Sequence, residues 1–492
     1  MAQVAPHIVR AGKKGKEASL NFFVNHGAFF FPFFHRSRYW FTVENFKMFL
    51  VFLAVGPLIG LAGVALTAGI HFSETWIHTL YGASPYIFFF TLPAGLPLLL
   101  WISDRYFPGV DGSGIPKAVV AYRKANVPTA GPEPTSIWSD MFNGGVFNML
   151  TLKLMLAKYF ITLLVIMCGG SMGPEGPMVF IGACIASSLA KYAKLRFNHQ
   201  KNAIAAGSAA ALATAFNSPM GGIAFAIEEI SGEYEYFHTR TVIVVLVVLA
   251  TMTSTSIPGF GNVFLGERLA PFHGTDLLAA PIIGVCLGTM GGLFARAVAE
   301  GAKFRKRHPV LAKRYHYPFA AAMGLLVALL GVWTDGMVFG PGESMSNKIL
   351  NSASDGSIPS DDTLLHLYGI FKLVATLASA LTTLTGGLFV PGHSVGIGFG
   401  VYMTYLCPWA TQETVLVYSM IGYFSGFTQG PFNTALIGVE ITAMAVSKVP
   451  GALLVGLIAS LVSKYVCRFP FYQFMGRIGG QAVPADKQIS TL

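Results

Sequence analysis

Apolar runs long enough to cross a lipid bilayer recur along almost the whole chain. They cover 47–72, 86–103, 148–170, 203–229, 240–257, 278–299, 317–336, 367–385, 394–410, 414–428 and 450–467. A helix needs about 20 mostly apolar residues to span the hydrocarbon core. Inside that core every backbone N–H and C=O must be satisfied internally, so the spanning segments are helices or strands of a closed barrel. The alternating strands of roughly ten residues that mark a barrel are absent. Only 11% of the residues are charged, against about 25% in soluble domains, and this excludes an ordinary soluble fold. The chain reads as an all-α polytopic membrane protein. Gly and Pro interrupt several of the runs and predict broken and tilted helices, and the 55 glycines suit close helix packing in lipid.

The net charge of +10 is placed in blocks. Arg10, Lys13, Lys14, Lys16, Arg36, Arg38 and Lys47 outnumber Glu17 and Glu44 near the N-terminus. Further basic groups occupy 191–201 and 303–314, and Lys464, Arg468, Arg477 and Lys487 follow near the end. The stretch 340–362 is acidic, with Glu343, Asp355, Asp361 and Asp362 against Lys348. The positive-inside rule makes the basic segments cytoplasmic and the acidic stretch external. Both termini are then inside, and the number of crossings is even. Membrane placement explains the basic balance without nucleic acid as a partner. The N-terminal stretch lacks the apolar core and cleavage site of a secretory signal. The aromatic stretch 28–41 predicts an interfacial helix lying on the bilayer. Cys168, Cys184, Cys286, Cys407 and Cys467 are scattered singly, with neither metal spacing nor a disulfide framework.

The chain is internally duplicated. Gly173-Pro-Glu-Gly-Pro177 with Gly182 matches Gly387-Leu-Phe-Val-Pro391 with Gly396. Phe216-Asn-Ser218 with Gly222 resembles Phe432-Asn-Thr434 with Gly438, in the same order and at nearly the same offset. Repeats of this size belong to secondary transporters, whose substrate sits near mid-membrane at the ends of broken helices.

Three Gly/Pro stretches suit an anion at helix starts. In Gly112-Ser113-Gly114-Ile115-Pro116, Pro116 fits a first helical turn, and Ser113 offers a hydroxyl or acts as an ordinary N-cap. In Gly386-Gly387-Leu388-Phe389-Val390-Pro391, the N–H groups of Leu388 and Phe389 can face an anion, because free amides and the positive end of the helix dipole converge there. A small anion needs only such donors; conduction requires weak, multi-site binding. Gly173-Pro174-Glu175-Gly176-Pro177 places a carboxylate at a helix start between apolar runs, where ionisable groups are costly and usually functional. Glu175 can itself occupy an anion position and leave it on protonation. Glu228-Glu229 closes the run from Gly221 near the cytoplasmic face, where one member can accept a proton.

These stretches, with Pro470-Phe471-Tyr472 and the run from Phe216 to Glu229, resemble the CLC family of chloride channels and chloride/proton antiporters over roughly 46–476. The resemblance implies two inverted-topology repeats, roughly 46–260 and 278–476, with one pore per subunit of a homodimer. A basic N-terminal segment, 1–45, precedes this transport domain, and a short cytoplasmic tail, 477–492, follows it. Ser113, Leu388, Phe389 and Tyr472 are implied to hold the central anion, supported by Gly112, Gly114, Gly176 and Lys158. Glu175 matches the gating glutamate. Glu229 matches the internal proton-transfer glutamate of the antiporter branch. The implied function is chloride/proton exchange across the cell (inner) membrane, with no cofactor and no metal, in a prokaryote-type member without C-terminal regulatory domains. The alternative is an uncoupled chloride channel of the same fold. An intramembrane enzyme is disfavoured because no nucleophile–base pair or metal spacing is present. A fluoride exporter is disfavoured by Ser113 and Glu229.

Two positions depart from the family pattern. Lys117 stands where many bacterial relatives have Glu, and Pro174 where many have a basic residue. The two exchanges are expected to compensate electrostatically. Lys158 either raises the local positive potential or snorkels to the interface. His393 is unusual at its place, and Glu440 reads as a structural hydrogen-bonding group.

Overall fold

The computed structural model describes residues 43–124, 149–195, 197–231, 237–258, 274–354, 358 and 363–478. The expected interfacial helix 28–41 and both chain ends lie outside them. The chain divides into two units, Met1–Val51 and Phe52–Leu492.

The first half runs α1 (Val43–Ala83), α2 (Phe88–Tyr106), α3 (Ile115–Lys124), α4 (Leu152–Met167), α5 (Glu175–Tyr192), α6 (Phe197–Phe216), α7 (Pro219–Phe225) and α8 (Phe237–Thr255). The second runs α9 (Asp276–Arg307), α10 (Pro309–Arg314), α11 (His316–Trp333), α12 (Glu343–Ser354), α13 (Thr363–Leu381), α14 (Phe389–Leu406), α15 (Gln412–Thr428), α16 (Pro431–Ile441), α17 (Val449–Val466) and α18 (Phe471–Ile478). Apart from the short α10, α1 to α8 match α9 and α11 to α17 in order. Gly173 pairs with Gly387 through an antiparallel β-bridge.

The helices fall into an outer and an inner set. Lys47–Ala83, Pro85–Tyr106, Asp276–Arg307, His316–Trp333, Thr363–Leu381 and Val446–Ile478 are long and apolar enough to cross a bilayer. Several expose large apolar side chains, such as Phe72, Phe90 and Leu278, which suits contact with lipid. Helices α5, α14 and α15 are buried over most of their length. Small residues let these inner helices touch backbone to backbone. A Cβ on Gly182 of α5 would collide with the Gly207 carbonyl of α6, and one on its repeat mate Gly396 would lie 2.7 Å from the Met420 Cα of α15. This burial is why α5 is missing from the apolar runs of the sequence: its environment is protein, so Gly, Ala and Ser serve where Leu would face lipid.

Two sequence expectations change. The run 203–229 is two helices, because Asn217 adopts φ +49° and Pro219 opens α7. Its counterpart is Gln429, at φ +65°, with Pro431 opening α16. The repeat mate of Asn217 is therefore Gln429 rather than Asn433. Side-chain similarity pointed one turn too far, whereas the left-handed residue and following Pro fix the register. Mates α2 and α11 pack on each other, as do α7 and α16, and α5 meets α14. Contacts between mates place the axis relating the halves along these pairs.

Candidate functional site

The Gly173–Gly387 bridge draws the starts of α5 and α14 together. The carboxylate of Glu175, 1% exposed, packs between them. A Cβ on Gly173 would run into its Oε2, and one on Gly387 would lie 2.6 Å from the same atom. The amides of Glu175 and Val390 face the carboxylate, although neither oxygen completes a hydrogen bond of regular geometry among the described residues. The Glu175 side chain thus sits where two helix N-termini direct their amides, a setting that favours an anion.

The loop before α3 lies against the same place. Ser113 packs on Gly176, whose added Cβ would be 2.6 Å from the Ser113 carbonyl and 2.8 Å from its Cβ. Gly112 and Gly114 take φ +68° and +95°, a conformation that glycine adopts without strain. Lys158, fully buried on α4, ties the loop down. Its Nζ donates to the carbonyls of Val110 at 2.7 Å and Gly112 at 2.8 Å, and to Thr385 Oγ1 at 3.0 Å. Of the two sequence readings of Lys158, snorkelling is excluded by this burial. Thr385, from the other repeat, had no sequence signal.

Phe389, fully buried, stacks on the Tyr472 ring with centroids 5.9 Å apart. Packing of α18 on α3 holds Tyr472 in place, and its fully buried hydroxyl has no hydrogen-bond partner among the described residues. Tyr472 interacts electrostatically with both Glu175 and Glu229. Leu388 is buried at the start of α14. The structure therefore gathers Glu175, Gly176, Ser113, Gly112, Gly114 and Lys158 around one point, with Leu388, Phe389 and Tyr472 continuing from the start of α14.

Glu229 stands apart on a π-helical turn, Ala226–Ser231, that continues α7. Such turns are rare and concentrate at functional sites; nothing in the sequence marked this one. Glu229 is 2% exposed. Its Oε1 packs against Gly430, its Oε2 has no hydrogen-bond partner among the described residues, and the Asn433 side chain faces it. Glu228 beside it does different work: its carboxylate accepts from the Phe432 and Asn433 amides at 3.1 and 2.8 Å. Reciprocally, Glu440 of α16 accepts from Ser218 Oγ, Met220 N and Gly221 N at 2.5, 3.1 and 2.9 Å. Each helix of the α7–α16 pair thus caps the start of the other.

Lys117 forms an ion pair with Asp111 at 2.6 Å, a partner not foreseen from sequence, and also bonds the Gly109 carbonyl. Pro174 is the N-cap of α5. His393 lies among aromatic rings, 4.4 Å from Phe424 and 5.8 Å from Phe216.

The fold is that of a duplicated, polytopic helical membrane protein in which two helix starts meet at a buried carboxylate. The family model of voltage gated chloride channels matches residues 95–464. The rat H(+)/Cl(-) exchange transporter 5 is 25% identical over 431 residues, covering 75% of this chain and 50% of that protein. The voltage-gated ClC-type chloride channel ClcB of Salmonella dublin is 27% identical over 341 residues, covering 67% and 77%. A slow cyanobacterial Cl-/H+ antiporter superposes with TM-score 0.72 at 20% identity, over 88% of this chain and 97% of that one. A CLC-type fluoride/proton antiporter gives TM-score 0.68 at 21% identity, over 88% and 99%. The chain belongs to the CLC family of voltage gated chloride channels. It spans about half the length of the mammalian relatives it matches.

Proposed function

We propose that this chain is a chloride/proton antiporter in which Glu175 is the gate and Glu229 the internal proton-transfer group. The observation that carries the reading is the placement of the Glu175 carboxylate between the starts of α5 and α14, buried and without a completed hydrogen bond among the described residues. In this reading the deprotonated side chain occupies an anion position. Protonation removes its charge, weakens its hold on the amides and lets chloride enter.

Ser113, Tyr472 and the amides of Leu388 and Phe389 hold the central chloride. Lys158 keeps the Ser113 loop in place and contributes positive potential. Full charge pairing with the ion is avoided, as rapid transport demands. Glu229 takes protons from the cytoplasmic side, the side assigned by the basic segments. Glu228 is occupied as a helix cap, which leaves Glu229 as the titrating member of the pair. The working unit is a homodimer in the cell membrane, with both termini cytoplasmic.

The test uses purified protein in chloride-loaded liposomes, with chloride efflux and external pH recorded together, with and without a protonophore. Uphill proton movement driven by chloride, lost in Glu229→Gln while chloride flux persists, supports exchange. Chloride efflux without coupled proton movement refutes it in favour of the channel reading.

A further inference from the structure

The α7–α16 pair allows the two repeats to be compared position by position. Glu228 and Glu440 are separated by the same stretch of chain as Asn217 and Gln429. Each accepts from amides at mated positions of the other helix. Glu440 takes those of Met220 and Gly221, and Glu228 takes those of Phe432 and Asn433. The caps are thus common to both halves.

Three neighbouring positions break this symmetry. At the same spacing Glu229 is mated with Ile441, Ser218 with Gly430, and Gly221 with Asn433. In the first repeat the Ser218 hydroxyl joins the cap on Glu440, and a Cβ on Gly221 would collide with Ser218 Oγ and Ile437. In the second repeat the hydroxyl is absent and a carboxamide takes the space. A Cβ on Gly430 would lie 2.6 Å from Asn433 Nδ2, 3.1 Å from Asn433 Cγ and 3.0 Å from Glu229 Oε1. The three departures therefore meet at one spot, where the Asn433 and Glu229 side chains converge on Gly430.

The spot is closed to solvent: Asn433 is 1% exposed and Glu229 2%. Asn433 Nδ2 and Oδ1, with Glu229 Oε2, make no hydrogen bond of regular geometry among the described residues. Buried polar atoms are nearly always paired, and each exception calls for a specific cause. The Asn433 backbone is fixed meanwhile, because its amide donates to Glu228 Oε2 at 2.8 Å. An ionised carboxylate only accepts hydrogen bonds, whereas a protonated carboxyl also donates one. A carboxamide has N–H donors at one end and an acceptor oxygen at the other. It can serve both forms, where an ammonium partner would serve the charged form alone.

We propose that Asn433 is the positioning residue for Glu229. Its Nδ2–H group donates to the Glu229 carboxylate, and its Oδ1 accepts from the protonated carboxyl. Asn433 gains and loses no proton; it holds the Glu229 side chain in one place through both states. This rests on Glu229 acting as the internal proton-transfer group.

The experiment compares wild type, Asn433→Ala, Asn433→Ser and Glu229→Gln in liposomes. It records chloride-driven proton movement, chloride efflux and the infrared carboxyl band of protonated Glu229, identified by its loss in Glu229→Gln. Ala and Ser differ by a hydroxyl that both donates and accepts, so the pair separates lost hydrogen bonding from lost volume. Asn433→Ala is expected to lower the proton-to-chloride flux ratio about tenfold, the effect of one hydrogen bond to a charged group, and to move the band to higher frequency. Asn433→Ser recovers most of the ratio and returns the band toward its wild-type position. A wild-type ratio in Asn433→Ala beside uncoupled efflux in Glu229→Gln overturns the positioning role and leaves the exchange reading standing. Coupling retained in Glu229→Gln, or absent from wild type, overturns that reading and the positioning role with it. Equal loss in Asn433→Ala and Asn433→Ser with an unmoved band makes Asn433 a packing residue and also overturns the proposal. Where neither Asn433 variant folds, the wild-type band decides: a hydrogen-bonded frequency supports the role, and a free-carboxyl frequency overturns it.

Discussion

Gly173 and Gly387 hydrogen-bond to each other in both directions, Gly173 N to Gly387 O at 2.9 Å and Gly387 N to Gly173 O at 2.5 Å. They hold the same position in the two repeats, so each half supplies the partner for the other at the axis between them. The carboxylate of Glu175 packs against both. The geometry around the Glu175 carboxylate is therefore set by an inter-repeat contact that neither half makes alone.

Adding a methyl group there should displace the Glu175 carboxylate. In Gly387→Ala the Cβ would come within 2.6 Å of Glu175 Oε2 and 2.9 Å of the Gly176 amide. Overpacking of this kind costs about 1–3 kcal/mol. The expected outcome is a folded protein with a lower melting temperature and chloride flux that depends less on external pH, read in the same liposomes.

Neutralising Glu175 has a different signature. Glu175→Gln keeps the size of the side chain but cannot cycle a proton. Chloride flux should become independent of external pH, and chloride-driven proton movement should disappear. Persistent coupling in this variant would remove Glu175 from the proton route.

Loss of Lys158 should cost stability and anion affinity together. Lys158→Met leaves the carbonyls of Val110 and Gly112 and the Thr385 hydroxyl without their shared donor. Leaving such buried groups unsatisfied costs about 2–4 kcal/mol in total. Thermal unfolding in detergent and chloride titration calorimetry should both register it. A normal melting temperature with weakened chloride binding would assign the residue to electrostatics alone.

Lys117 and Pro174 give a charge-swap test. Lys117→Glu sets a second carboxylate beside Asp111, now its ion-pair partner at 2.6 Å. Chloride flux should fall several-fold, and adding Pro174→Arg at the α5 cap should recover part of it. Equal flux in the single and double variants would sink the compensation between the two sites.

The crossed caps predict a stability effect without a change in ion coupling. Glu440→Ala removes the acceptor for three donors at the start of α7, worth about 2–3 kcal/mol. The chloride-to-proton ratio should remain at its wild-type value while the melting temperature drops.

The spans, the duplication and the motif positions were legible in the sequence because each has a local cause. Low charge density and apolar length dictate helices in lipid. Gly-X-Gly and Gly/Pro spacings mark the helix starts, and Glu175 and Glu229 announce themselves as acids in apolar company. The register of the second repeat match was legible only in part, because the decisive signal at Asn217 and Gln429 is a backbone angle shared by different side chains. Tertiary structure alone placed Tyr472 on Phe389, set Thr385 against Lys158, and crossed Glu228 and Glu440. Each of these joins residues far apart in the chain. No local propensity encodes such relations: they arise when two inverted halves close on one another and every buried polar group must find its partner across the axis.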